Sequence, residues 1–142
     1  MLVNLVRNFG TNLQFVALFL IRFQLGVLFS QAGWGKFQNI DRTLGFFRSI
    51  GIPAADILVP VVATVELLGG ILLILGLLSR LSSFALICVM VVAALSAHLA
   101  EFTDFAAIVT QKNVVYIVML FTIFCFGSGK ASLDSLIFGE KA

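Results

Sequence analysis

Residues 57–78 form one continuous apolar stretch in which the only ionisable side chain is Glu66, near the middle. At about 1.5 Å per residue, a helix over this stretch spans roughly 33 Å, enough to cross a hydrocarbon core about 30 Å thick. A charge at that depth costs at least about 2.5 kcal/mol, so Glu66 needs a partner, a proton or a water-filled cavity. The stretch therefore predicts a membrane-spanning helix with one buried carboxylate.

The composition also indicates a membrane protein. Of the 142 residues, 61% are hydrophobic and 11% are charged, and a soluble domain of this size has too little interior to bury so much apolar surface. The length fits a single domain over residues 1–142. The net charge of +2 is small and scattered, which argues against nucleic acid as a partner. The two cysteines are far apart and form no CxxC motif.

Four apolar stretches predict four spanning helices, at about residues 13–34, 57–78, 81–100 and 114–126. Residues 37–48 place apolar side chains at helical spacing with charges between them, which predicts a short amphipathic helix at the membrane interface. Residues 132–138 predict one more interfacial turn, and Asp56 is the predicted N-cap of the second spanning helix. The predicted fold class is all-α: a transmembrane four-helix bundle with short interfacial helices.

Part of the first apolar stretch, residues 13–29, also imitates a signal peptide, because Arg7 precedes this part and Ser30-Gln31-Ala32 follows it. Arg22 inside the stretch, and a length sufficient to span, favour a mature helix instead. In a four-span arrangement, the turn at residues 78–82 defines one side of the membrane, called here the turn side. Residues 35–55 and 101–113 define the other, the loop side. Lysines and arginines are balanced between the two sides, so the positive-inside rule favours neither orientation.

Two ionisable residues fall at similar depth. Arg22 is nine residues into the first predicted helix and Glu66 nine residues into the second, each roughly 14 Å from opposite ends. This predicts an Arg22–Glu66 ion pair in which each charge offsets the desolvation of the other. Gly26, Ser30 and Gly33 share the Arg22 face, and small residues there allow a neighbouring helix to approach closely.

Further polar residues are predicted near the loop side. His98 and Glu101 are three residues apart and share a helix face. Gln31 and Lys36 lie at a similar height. His98 is the only side chain here whose ordinary pKa is near neutrality, so it is the predicted proton-handling residue. Each feature also has a structural interpretation: the ion pair as a staple that fixes helix register, and His98 as an interfacial cap.

Metal and haem sites are not expected. Zinc normally takes three or four protein ligands, whereas one histidine with one or two carboxylates offers fewer. The chain contains one histidine, and two axial histidines would be needed to hold a b-type haem.

Several short motifs occur together along the chain, in an order and spacing that resemble the DoxX family of small four-helix bacterial inner-membrane proteins. The resemblance covers about residues 18–134. The motifs are Arg22, Ala32-Gly33-Trp34-Gly35-Lys36, Gly51-Ile52-Pro53, Glu66 with Gly69-Gly70, Gly76-Leu77-Leu78-Ser79-Arg80, His98 and Gly127-Ser128-Gly129-Lys130-Ala131-Ser132-Leu133-Asp134.

The resemblance implies a location in the bacterial inner membrane and a link to quinone chemistry, since the family is named from subunits of quinone-linked oxidoreductases. It also implies a partner subunit, and a homo-oligomer is the alternative. We expect a quinone head near the loop side, with Glu66, His98 and Arg22 as catalytic residues and Gln31, Lys36 and Glu101 as binding residues. Such a subunit would not be active alone. The alternative is a non-catalytic membrane anchor or assembly subunit whose ionic residues are structural.

Overall fold

A computed structural model describes residues 2–97, 105–127, 129 and 132–138. These residues form helices and no strand, which confirms the all-α prediction. Three of the helices contain segments long and apolar enough to cross a membrane: Val16–Gln38, Ala55–Leu75 and Ser79–Ser96. The helices are α1 (Leu2–Gln38), α2 (Ile40–Ser49), α3 (Ala55–Leu75), α4 (Ser79–Ala97), α5 (Phe105–Thr110), α6 (Lys112–Phe126) and α7 (Leu133–Phe138).

The four apolar helices pack in a ring: α1 against α3, α3 against α4, α4 against α6, and α6 back against α1. α6 has 15 residues, so it is only roughly 22 Å long. Phe29 of α1 and Tyr116 of α6 meet edge to face with their ring centroids 6.1 Å apart. All four helices contribute to one apolar core, whose buried members are Leu25, Phe29, Leu73, Leu86, Met90, Leu120 and Ile123.

α1 and α3 approach so closely that glycine is required at their contact. A Cβ added to Gly33 would lie 2.5 Å from the backbone nitrogen of Leu67, and one added to Gly70 would lie 2.5 Å from the backbone nitrogen of Ser30. Larger residues would push the helices apart, as in other membrane helix pairs that rely on small residues. The predicted close neighbour on this face is therefore confirmed. The contacts also fix the antiparallel register, with Gly33 level with Leu67 and Ser30 level with Gly70.

Helix α2 is the short amphipathic helix that the charge spacing predicts, and none of its residues is buried in the bundle. The predicted N-cap role of Asp56 is wrong. Ala54 occupies the N-cap position of α3 in a left-handed conformation, with φ of 53°. Asp56 therefore falls inside the first turn, where its Oδ1 accepts a 2.6 Å hydrogen bond from Nη2 of Arg48 at the end of α2.

The second spanning helix is shorter than predicted, ending at Leu75 rather than at residue 78. Gly76 adopts a left-handed conformation with φ of 67°, and its N–H bonds back to the carbonyl of Leu73. Glycine meets no Cβ penalty in this conformation, so it ends the helix. The turn that follows leads directly into α4.

Candidate functional site

Glu66 and Lys36 form an ion pair between α3 and the last turn of α1. Lys36 Nζ donates to Glu66 Oε2. The Glu66 side chain is 4% exposed and the Lys36 side chain 25% exposed. The register set by Gly33 and Leu67 explains the pairing, because Lys36 lies one turn beyond Gly33 and Glu66 lies next to Leu67. The carboxylate is thus buried at membrane depth with an ammonium as its counter-ion.

A cavity of about 420 Å³ borders this pair at the loop-side end of the bundle. The described lining residues come from five helices and are mainly hydrophobic, and Glu66 and Lys36 are the charged residues among them. Leu58, Val92 and Cys88 line it and are exposed, so the cavity opens to the exterior of the bundle. The lining residues are Lys36, Phe46, Phe47, Ile50, Ile52, Leu58, Val62, Glu66, Cys88, Val89, Met90, Val92, Ala93, Ser96 and Asn113.

Arg22 lies elsewhere, near the turn side. Its side chain is buried, and its Cζ lies 5.5 Å from the centroid of the Phe19 ring. A Cβ on Gly76 would be 2.5 Å from Arg22 Nη1 and 2.6 Å from Ser132 Cβ. The guanidinium is therefore enclosed between the end of α3 and the segment that precedes α7. The carboxylate of Asp134, in the first turn of α7, attracts it electrostatically.

The predicted Arg22–Glu66 ion pair is therefore wrong. Gly76, which contacts Arg22, lies ten residues after Glu66 on α3, a separation of roughly 15 Å along the helix axis. The depth argument failed because it assumed that the two helices begin flush with the membrane surface. α1 instead begins at Leu2 and passes beyond the end of α3 on the turn side. This shift places Arg22 at the end of α3 and brings Lys36 to Glu66.

Asp134 stabilises the turn between α3 and α4 through three hydrogen bonds. Its Oδ1 accepts a hydrogen bond of 2.7 Å from the Leu78 N–H, and its Oδ2 accepts one of 3.0 Å from the Ser79 N–H. The Asp134 N–H donates to the Gly76 carbonyl at 2.9 Å. The carboxylate thus satisfies donors at the N-terminus of α4, where negative charge is also favourable. Sequence reasoning missed this cap, because the cap and the helix lie more than fifty residues apart.

The structure brings together only part of the predicted site. Lys36 joins Glu66 in the cavity, whereas Gln31 is exposed on the outer surface of α1 and does not line the cavity. His98 and Glu101 lie outside the described residues. In the part of the chain that the structure describes, no three His, Cys, Asp or Glu side chains form a group that could hold a metal ion.

The helical wheel of α1 contains a signal for the Lys36–Glu66 pair. Lys36 lies fourteen residues after Arg22, about four turns, so the two share a face with Gly33. Gly33 contacts α3 at Leu67, next to Glu66. Lys36 is the next cation on the same face of α1, so this contact brings it close to Glu66. Cys88 had no such signal, because its place in the lining depends on how α4 is rotated within the bundle.

Fold and site together define a class: a multi-pass, all-helical membrane protein with a buried ion pair beside an apolar cavity. Comparison with known proteins assigns the family. Residues 17–99 match the family model of DoxX, and the chain belongs to the DoxX family, as the sequence motifs indicated. It is 30% identical over 124 residues to the Bacillus subtilis (strain 168) protein named "Putative oxidoreductase CatD", which covers 86% of this chain and 87% of that relative. No solved structure gives a significant match.

Proposed function

We propose that this chain is the membrane subunit of a quinone-linked oxidoreductase, and that the cavity beside Glu66 and Lys36 receives the quinone head. The observation that carries the proposal is a charged pair buried at the wall of a largely apolar cavity inside a membrane bundle. Intramembrane ionisable residues are costly, and they commonly mark proton or ligand paths. The name of the Bacillus subtilis relative supports an oxidoreductase role.

The cavity residues fit such a ligand in size and chemistry. A volume of about 420 Å³ falls in the range of roughly 300–1,000 Å³ that is typical of small-molecule sites. The apolar walls suit a ring and the start of an isoprenoid tail, and Phe46 and Phe47 of α2 supply aromatic surface. The Lys36 ammonium is a hydrogen-bond donor suited to a ring carbonyl oxygen.

Glu66 is suited to hold or move a proton at the ligand oxygen. Its Oε2 bonds to Lys36, and the described part of the chain offers Oε1 no hydrogen bond. Because the pair is neutral as a whole, it favours an uncharged ligand that both accepts and donates hydrogen bonds. A quinone, when bound, supplies a two-electron, two-proton carrier. His98 and Glu101, which lie outside the described residues, remain the predicted proton-handling and binding residues.

We assign the electron donor to a partner protein. The sequence contains one histidine and no CxxC motif, so this chain alone supplies neither two axial histidines for a haem nor a CxxC dithiol. The chain's own contribution is the cavity, the hydrogen-bond donor and the proton acceptor. We also propose the bacterial inner membrane as its location, because quinone-linked respiratory enzymes of bacteria work there.

Cys88 provides a direct test, because it lines the cavity, whereas Cys125 is exposed and does not line it. Each cysteine is labelled with a lipophilic maleimide in the absence of the other, in Cys125→Ala and Cys88→Ala proteins in lipid vesicles. A fully ring-substituted, short-tailed benzoquinone serves as the ligand, since it has no open ring carbon for a thiol to attack.

At a quinone concentration ten times its dissociation constant, we expect Cys88 labelling to slow about tenfold, because about nine sites in ten are occupied. Cys125 labelling should not change. Equal labelling of Cys88 with and without quinone, at every concentration up to saturation of the membrane, would refute quinone binding in this cavity. That outcome would favour the membrane-anchor alternative.

A further inference from the structure

The outer face of α1 carries two amide side chains inside a membrane-spanning segment. Gln24 and Gln31 both lie in the segment Val16–Gln38 and are both exposed. They are seven residues apart, which places them on one face of the helix, one above the other. In the register of the α1–α3 contact, Gln24 lies level with Gly76 at the turn-side end of α3. Gln31 lies level with Gly69, roughly 10 Å further into the bundle, so Gln31 is the amide within the hydrocarbon core.

This face points directly away from the bundle. The inner face of α1 carries the buried residues Arg22, Phe29 and Gly33, and Gln24 and Gln31 lie about half a helical turn from their centre. The described part of the chain gives neither amide a hydrogen-bond partner. Hydrocarbon offers none either, so the Gln31 amide is unsatisfied at a depth where polar groups are costly. A second helix against this face would remove the cost.

The residues around the two amides repeat with alternating spacings of three and four, the pattern by which two helices pack along one seam. Leu20 and Trp34, at the intervening positions, are 58% and 56% exposed. The seam extends over more than five turns. Its members, in order, are Ala17, Leu20, Gln24, Val27, Gln31, Trp34 and Gln38.

We propose that this seam is the interface between two copies of the chain, which form a parallel dimer through α1. Two neighbouring copies that insert in the same orientation have parallel α1 helices. A two-fold axis along the membrane normal then sets Gln24 against Gln24 of the second copy, and Gln31 against its own equivalent. An amide both donates and accepts hydrogen bonds, so it is complementary to itself. This inference does not depend on quinone binding.

Disulfide crosslinking tests the geometry. In a Cys88→Ala, Cys125→Ala background, Gln24→Cys and Gln31→Cys should each form a disulfide-linked dimer on oxidation in lipid vesicles. Seam positions bring Cα atoms within the 4.4–6.8 Å or so that a disulfide requires. Leu68→Cys on α3 is the matched control. It is level with Ala32, next to Gln31, is 54% exposed, and lies on a face of α3 turned away from α1.

Association measured by energy transfer between labelled copies in vesicles tests the role of the amides. Gln24→Leu with Gln31→Leu should raise the dimer dissociation constant about tenfold or more, because interhelical amide bonds are lost. Gln24→Asn with Gln31→Asn keeps the amides and should retain association. Crosslinking of Leu68→Cys as efficient as that of Gln31→Cys, or a monomeric native chain in vesicles, would overturn the proposal. Crosslinking in native membranes only to a different protein would overturn it as well.

Discussion

Replacing Lys36 with methionine removes the ammonium that neutralises Glu66 and keeps most of the apolar volume of the side chain. The Glu66 side chain is only 4% exposed, so the stranded carboxylate cannot reach water easily. Breaking one partner of a buried pair costs about 3–5 kcal/mol in soluble proteins. The stranded carboxylate can also take up a proton, and this limits the loss of stability. Protonating a glutamate of ordinary pKa about 4.3 at pH 7 costs about 3.7 kcal/mol. We expect Lys36→Met to cost about 2–4 kcal/mol.

The opposite change should cost less. Glu66→Gln leaves the Lys36 ammonium, which is 25% exposed and can extend its head towards water. The glutamine carbonyl still accepts one hydrogen bond, so we expect about 1 kcal/mol. Replacing both, as Lys36→Met with Glu66→Leu, removes both charges and should be nearly neutral for stability.

These values are measured by SDS titration of the protein in mixed micelles, and Lys36→Met, Glu66→Leu and their double variant form the thermodynamic cycle. The control is Arg48→Met, which removes a cation from the exposed Arg48–Asp56 pair, where the side chains are 62% and 67% exposed. That change should cost less than about 1 kcal/mol. If Lys36→Met costs no more than Arg48→Met, or if the two single changes add up to the double, the buried pair is not coupled and the reasoning fails.

Two further changes test the helix contacts. Gly33→Ala should destabilise the protein by about 1–3 kcal/mol, because its Cβ would lie 2.5 Å from backbone of α3. In the same helix Gly35→Ala meets nothing within 4 Å and should be neutral or stabilising by up to about 1 kcal/mol; equal effects in SDS titration would contradict the close α1–α3 contact. Asp134→Ala should cost about 1–2 kcal/mol by uncapping α4, and Asp134→Asn, which keeps one acceptor oxygen, should cost less. Thermal unfolding of the two Asp134 variants would contradict the cap if both matched the native chain.

The sequence was sufficient for three of the four predicted spanning segments, because Val16–Gln38, Ala55–Leu75 and Ser79–Ser96 each contain a long apolar stretch. The fourth predicted span corresponds to α6, which has 15 residues and is shorter than these segments. Residues 57–78 and α3 differ only at the ends, where Gly76 stops the helix early and Ala54 displaces Asp56 from the cap. The sequence was also sufficient to predict which faces carry small residues at helix contacts, since 3.6-residue periodicity alone places Gly33 on the same face of α1 as Arg22.

Predicting which charges pair required knowing how far α1 is shifted along α3, and helical periodicity does not contain that information. Arg22, Lys36 and Glu66 were all recognised as important, but the depth argument fixed the start of α1 by its apolar boundary. The offset is instead set by which glycines meet which backbone atoms. The capping role of Asp134 could not be predicted for a related reason, because its hydrogen-bond partners, Leu78 and Ser79, are distant in sequence.

Quinone affinity of the native chain, compared with that of the Lys36→Met, Glu66→Leu double variant, tests the central claim most directly. Both proteins are placed in lipid nanodiscs and titrated with a short-tailed benzoquinone, and the bound fraction is read by equilibrium dialysis. Because the double variant should retain its stability, a loss of affinity reports on the site and not on unfolding. We expect the dissociation constant to rise at least about tenfold, the equivalent of one charge-assisted hydrogen bond. An unchanged dissociation constant would contradict the assignment of Glu66 and Lys36 to the quinone head.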